Sequence, residues 1–164
     1  MTRVNVSLAI VLVICTSLII GQSRGEKKPA ASKPASKKFR LERLRGKVVF
    51  LAEALKRKYG IRSVSEASKR VLALEAKDGK LHPLVEDFRG RAFRLDKRLR
   101  TMDAELLVRR YKGSPTLQVI GVYTLEKKGK FELDYWCDIC AIALYELKPC
   151  DCCQGAIRLR KRKR

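Results

Sequence analysis

The chain has 164 residues, a hydrophobic fraction of 46% and a formal net charge of +21. This length predicts one modest domain with appendages, and the apolar content excludes a chain too polar to form a core. The positive charge favours anionic partners such as nucleic acid, anionic lipid or acidic glycan. A solvated basic surface without a dedicated partner is the alternative.

The N-terminal stretch MTRVNVSLAIVLVICTSLIIGQSRG is typical of a targeting segment. Arg3 precedes an uncharged run over residues 4–21. Small residues follow at the spacing of a cleavage site: Gly21, Ser23 and Gly25. We therefore predict a signal peptide or membrane anchor over residues 1–23, which includes Cys15, and export to the periplasm or cell envelope. Basic residues cluster after this run, so an uncleaved anchor with a cytoplasmic body is the alternative.

Two strongly basic segments flank the predicted body. Residues 22–38 are dominated by Lys, Ala, Ser and Pro, so we predict a flexible linker over residues 24–43. At the other end, RLRKRKR has six basic residues in seven. We predict that this segment, residues 158–164, is a disordered cationic tail.

The first half of the body alternates short strands and helices. GKVVFL predicts a strand, and AEALKRKYG predicts a short helix that ends at Gly60. Ser63 and Glu66 have the spacing of a capping box for a second short helix. Further on, Asp78-Gly79 suits a two-residue hairpin turn, and Pro83 predicts an edge position for its strand.

The second half of the body is predicted to be mostly strand. AFRLDKRLR predicts a short basic helix, and AELLVRRY and TLQVIGVYTL predict strands around the turn KGSP. FELDYW then predicts a strand that runs directly into Cys137. We therefore predict a mainly β fold with short helices, in which residues 44–136 form a small OB-like β-barrel and residues 137–157 form a cysteine-rich segment.

Two resemblances accompany this prediction. Through GKVV, DGKLHPL and ELLVRRYKGSPTLQVIGVYTL, the body resembles the OB-like domains of exported bacterial proteins, although it has many more basic residues. Most of residues 44–158 also resembles a family of uncharacterised bacterial proteins with signal-like N termini. LVEDFRGRAFRLDKRL, ELLVRRYKGSP and ELDYWCDICAIALYELKPCDCCQG carry this second resemblance. It implies a shared fold and export, and it implies no activity.

Five of the six cysteines lie in the segment DYWCDICAIALYELKPCDCCQG. Two C-x-x-C pairs, Cys137 with Cys140 and Cys150 with Cys153, have the arrangement that a tetrahedral zinc ion needs. Cys152 is an alternative ligand to Cys150 or Cys153. We predict a structural zinc site, although the nine intervening residues are few for a zinc ribbon.

Other interpretations of these cysteines stay open. Exported chains usually oxidise their cysteines, so a disulfide framework is one alternative, although an odd count and two adjacent cysteines disfavour it. A redox-active thiol pair, copper or an iron–sulfur cluster are the others. Asp138 and Asp151 lie beside the thiols and are expected to oppose thiolate formation.

The sequence contains no glycine-rich phosphate loop, no H-E-x-x-H and no G-x-S-x-G, which argues against the common hydrolase and nucleotide-using classes. We therefore expect a non-enzymatic binding or structural module, with an exported thiol-redox or metal-handling protein as the alternative. A further alternative is a cytoplasm-facing OB-like protein that binds single-stranded nucleic acid.

The predicted partner is an anionic surface, either lipid headgroups or an envelope polymer, with nucleic acid as a partner only for a cytoplasmic body. The residues predicted to bind anions are Arg109, Arg110, Arg158, Arg160, Lys161, Arg162, Lys163 and Arg164.

Overall fold

The computed structural model describes residues 39–164, so the predicted targeting segment and most of the predicted linker lie outside the described residues. The strands are β1 (Phe39–Phe50), β2 (Leu72–Ala76), β3 (Leu81–Pro83), β4 (Ala104–Tyr111), β5 (Leu117–Glu126), β6 (Gly129–Cys137), β7 (Ile142–Leu144) and β8 (Arg158–Lys163). The helices are α1 (Leu51–Tyr59), α2 (Phe88–Leu95) and α3 (Lys97–Thr101). Within residues 39–164 no helix combines the length and apolar composition that a membrane span requires.

The strands form one antiparallel sheet in the order β3-β2-β1-β4-β5-β6-β7, with β8 also paired to β6. Glu132 of β6 pairs with Tyr123 of β5 and with Arg162 of β8, so β5 and β8 lie on opposite edges of β6. The predicted mainly β fold with short helices and a C-terminal cysteine cluster is confirmed.

The sheet of residues 39–164 does not close into the predicted OB-like barrel. A single parallel bridge between Leu84 and Leu117 joins the segment after β3 to β5. Full closure fails for two reasons. β3 is only three residues long and ends at Pro83, which has no N–H to donate. At the other end of the sheet, β6 pairs with β7 and β8.

One face of the sheet carries the hydrophobic core. Leu44, Leu106 and Val122 are direct cross-strand partners on β1, β4 and β5, and they belong to the core or pack against it. Phe93 of α2 and Leu99 of α3 complete this layer and are almost fully buried. The opposite face of the same strands is therefore left to the alternating polar residues.

Local turn chemistry explains several element boundaries. Gly60 ends α1 and Gly79 forms the β2–β3 hairpin, both in the left-handed region that glycine adopts easily, with φ of 69° and 81°. The predicted capping box is wrong, because the 3₁₀ turn Ser65–Ala67 follows Val64 and has no side-chain cap. The predicted basic helix is split at Asp96, whose carboxylate accepts the N–H of Arg98 at 3.0 Å and starts α3.

Two predicted boundaries are corrected. β1 begins at Phe39, so residues 39–43 belong to the sheet and not to the linker. The predicted disordered tail is strand β8, which pairs with β6 over residues 131–136. Its cations find acidic partners on the neighbouring strand, such as Arg160 with Asp134, so its charge does not keep it apart from the body.

Candidate metal centre

The first pair of cysteines lies where β6 ends. Cys137 is the last residue of β6 and is fully buried, whereas Cys140 is half-buried in the turn that leads to β7. The backbone N–H of Cys140 donates to the Sγ of Cys137 at 3.5 Å. Ala141 follows with a φ of 52°, a left-handed conformation that reverses the chain. This turn directs both sulfur atoms toward one point.

The second pair lies in a tight loop just before β8. The N–H of Gln154 donates to the carbonyl of Cys150 at 2.9 Å, and the N–H of Cys150 donates to the carbonyl of Gly155 at 3.0 Å. A Cβ at Gly155 would stand 3.1 Å from the side chain of Ile139 and 3.3 Å from the Sγ of Cys153. Gly155 therefore lets the second turn pack directly on the first, although it comes later than the usual knuckle glycine.

The two turns bring four sulfur atoms together. The Sγ atoms of Cys137, Cys140, Cys150 and Cys153 all lie within 4.8 Å of one another. The Sγ atoms of Cys137 and Cys153 are 3.5 Å apart. Four ligands of a tetrahedral zinc ion at about 2.3 Å stand about 3.8 Å from each other, and bonded sulfurs of a disulfide only about 2.05 Å. The spacing fits a shared metal ion.

The predicted alternative ligand, Cys152, is exposed and stands outside this group. The four grouped residues are thus the two C-x-x-C pairs of the sequence. The chemistry of this donor set is uniform, since all four ligand atoms are cysteine sulfurs, which suit zinc, copper(I) and iron–sulfur clusters. Four protein ligands leave no open coordination position, and a closed site is typical of a structural metal.

The acidic neighbours that were expected to oppose thiolates are paired with cations. Arg158 donates two hydrogen bonds of 2.9 Å to Asp138, which lowers the pKa of that carboxyl. Lys148 contacts Asp151 at 2.8 Å. These ion pairs reduce the negative potential that the two carboxylates place on the sulfurs.

The protein environment acts differently on individual thiols. The backbone N–H groups of Cys153 and then Cys152 point at the sulfur of Cys150 and lower its pKa to about 7. The sulfurs of Cys152 and then Cys153 raise the pKa of Cys140, because hydrogen bonding to them favours the protonated Cys140 thiol over its thiolate. A bound metal ion would displace this proton, since metal coordination deprotonates its cysteine ligands.

The aromatic residues before the cluster belong to the packing of the body. Tyr135 is buried and its hydroxyl donates to Asp96 at 2.9 Å. Burial and then this carboxylate raise its pKa. Trp136 is half-buried on the opposite face, with the guanidinium of Arg160 3.8 Å from its ring centroid.

The predicted anion-binding residues fall into two separate groups. Arg110 donates to Glu42 at 2.9 Å, and Arg109 lies over the ring of Phe39 at 4.9 Å, both near the far end of β4. The tail residues lie on β8, and most of their charges contact acidic groups: Arg158, Arg160, Lys161, Arg162 and Arg164. Lys163 is exposed. The structure therefore does not unite the eight residues in one site.

Sequence reasoning missed the acidic partners of the tail, Glu132 and Asp134. The sequence indicates these partners through the alternation in FELDYW, because two acidic residues two positions apart project to the same face of a strand.

A scan against protein-family models matched none, and searches of curated proteins and of solved structures returned no match to this chain. The geometry of the cysteine cluster is therefore the main guide to function.

Proposed function

We propose that this chain is a non-enzymatic binding module whose four clustered cysteines hold one structural zinc ion. The observation that carries this proposal is the approach of the four sulfur atoms to within 4.8 Å of one another. When bound, zinc supplies a cross-link between the turn after β6 and the loop before β8. This cross-link stabilises the C-terminal strands against the core, because Cys137 and Cys150 belong to the core cluster.

A site of four thiolates also indicates on which side of the membrane the body of the protein lies. Such a site needs reduced cysteines, whereas exported chains usually oxidise theirs. The proposal therefore favours an uncleaved N-terminal anchor with a cytoplasmic body over export. Membrane-impermeant thiol reagents applied to intact cells are expected not to reach the cluster, even after metal removal. Labelling of the cysteines from outside would instead support export.

The metal content of the purified full chain tests the proposal. We expect about one zinc per chain together with free thiols after denaturation in chelator. Disulfides without metal would support the disulfide interpretation, and readily transferred copper would support metal handling.

Matched cysteine variants identify the ligands. Cys137→Ser is expected to lose the metal and to loosen β7 and β8, because it removes a buried ligand. Cys152→Ser removes an exposed thiol outside the group and is expected to keep both metal and thermal stability. Loss of metal in Cys152→Ser to the same extent as in Cys137→Ser would show that the ligand assignment is wrong.

A further inference from the structure

A row of charged side chains crosses the face of the sheet opposite the core. Arg45 pairs with Glu105, Glu105 with Tyr123, Tyr123 with Glu132, and Glu132 with Arg162. Directly paired residues of antiparallel strands project to the same face. These five residues come from β1, β4, β5, β6 and β8, so the row extends over about 19 Å at about 4.8 Å per strand.

The acidic members of this face lie beneath its cations. The side chains of three acidic residues, Glu105, Glu132 and Asp134, are only 5%, 11% and 1% exposed. Six cations contact them and form what we term the cation layer: Arg43, Arg45, Lys130, Arg160, Arg162 and Arg164. Their side chains are more exposed, from 20% for Arg160 to 54% for Arg45. The carboxylate acceptors are thus buried. The cations outnumber the carboxylates, so some of their N–H groups have no carboxylate partner and face solvent.

Aromatic rings lie within the cation layer. Arg43 and Lys130 lie over the ring of Tyr123 at 5.2 Å and 4.3 Å, and Arg160 lies over Trp136 at 3.8 Å. The buried carboxylates hold the long cationic side chains in place, for example Arg43 and Lys130 through Glu105. Nucleic acid bases stack on aromatic rings and on guanidinium planes, and phosphates accept paired hydrogen bonds from arginine. Lipid headgroups and acidic glycans offer the anionic groups without the bases.

We infer that the cation layer, together with Tyr123 and Trp136, is a binding surface for single-stranded nucleic acid. This inference goes beyond the proposed zinc site and does not depend on it. The charge of the layer is complementary to a phosphodiester chain, and the row from Arg45 to Arg162 gives such a chain cations at both ends with a ring between them. A nucleic acid chain that crosses the sheet along this row contacts the cation at each end and the ring between them.

Fluorescence anisotropy of the metal-loaded full chain with labelled oligothymidine of about 12 nucleotides tests this inference. The variant Arg45→Gln/Arg162→Gln is expected to weaken binding by about tenfold or more. It is also expected to reduce the salt dependence by about two phosphate contacts, or about 1.4 in the log–log slope. Glu105 keeps Arg43 and Lys130. Glu132 keeps Arg164 and Asp134 keeps Arg160, so none of these three buried carboxylates is left without a cation.

The matched control, Lys56→Gln/Lys97→Gln, removes the same charge from exposed positions on α1 and α3. We expect it to bind the oligonucleotide nearly as tightly as the unmodified chain. Equal weakening by both double variants would overturn the inference, because net charge alone would then explain the binding. Absence of oligonucleotide binding would overturn it as well.

A variant that keeps all charges separates nucleic acid from other polyanions. Tyr123→Leu is expected to weaken oligonucleotide binding about fivefold or more through lost stacking, and to leave binding to dextran sulfate and to anionic vesicles unchanged. Thermal melting checks that each variant is folded. Unchanged oligonucleotide affinity in folded Tyr123→Leu, or dextran sulfate or vesicles bound as tightly as the oligonucleotide, would contradict a nucleic acid site.

Discussion

At the residue scale, Glu105 is a buried carboxylate that holds three cations at the surface of the sheet. Glu105 contacts Lys130, Arg45 and Arg43, and its side chain is only 5% exposed. Lys130 and then Arg45 lower the pKa of Glu105 below its ordinary value of 4.5, although burial opposes them. Because ionised Glu105 is favoured in the folded state, its contribution to stability is present above about pH 4.5 and is lost as the pH falls through the lowered pKa.

We therefore expect the free energy of unfolding to fall as the pH drops below about 4.5, and Glu105→Gln to reduce this dependence. At neutral pH the same variant is expected to be less stable than the unmodified chain, since three cations lose their shared partner. Urea denaturation at several pH values measures both effects. Glu126→Gln is the control, because Glu126 is 38% exposed and contacts Lys161 at the surface. Identical pH profiles for the two variants would contradict the role of Glu105.

At the scale of elements, local signals in the sequence locate most strands and turns, whereas long-range pairing decides the rest. The strands of β4 and β5 and the glycine turn of the β2–β3 hairpin follow from patterns within a few residues. The C-terminal strand does not, because RLRKRKR has no apolar alternation. Its order depends on carboxylates some 26–32 residues away, including Asp134 and Glu132. A prediction of disorder from the composition of a segment takes no account of partners elsewhere in the chain.

This pairing makes the C-terminal strand part of the fold. Deletion of residues 158–164 leaves Asp134, whose side chain is 1% exposed, without Arg160 and Arg162. We expect the deletion to destabilise the body by about 3–5 kcal/mol, as is usual when one side of a buried ion pair is removed. Urea denaturation measures this loss.

A substitution in the same strand provides the control for that deletion. Arg158→Gln removes only an ion pair in which both side chains are more than half exposed, and its expected cost is about 0–1 kcal/mol. A deletion as mild as Arg158→Gln would show that β8 does not stabilise the body.

At the scale of the whole molecule, the cysteine cluster joins three strands of one sheet. Cys137 ends β6, Cys140 precedes β7, and Cys150 and Cys153 lie in the loop before β8. The spacing of the two C-x-x-C pairs is enough to predict which four cysteines come together. It does not reveal that the turns pack through Gly155, nor that Cys152 is exposed and outside the group of four, because both depend on the fold of the loop.

The pairing of strand edges decides between the predicted barrel and the open sheet that is found. The order of strands and short helices along the chain is compatible with either, since closure depends on which edges pair. β3 is too short to continue the ladder, and β6 pairs with β7 and β8.

We expect one metal ion to join the two cysteine turns. X-ray absorption at the zinc edge of the purified full chain tests this expectation, because the spectrum counts the ligands of the metal and identifies their element. We predict four sulfur ligands at about 2.3 Å and no nitrogen or oxygen ligand. A zinc ion with fewer than four sulfur ligands, or a chain that holds no zinc, would contradict it.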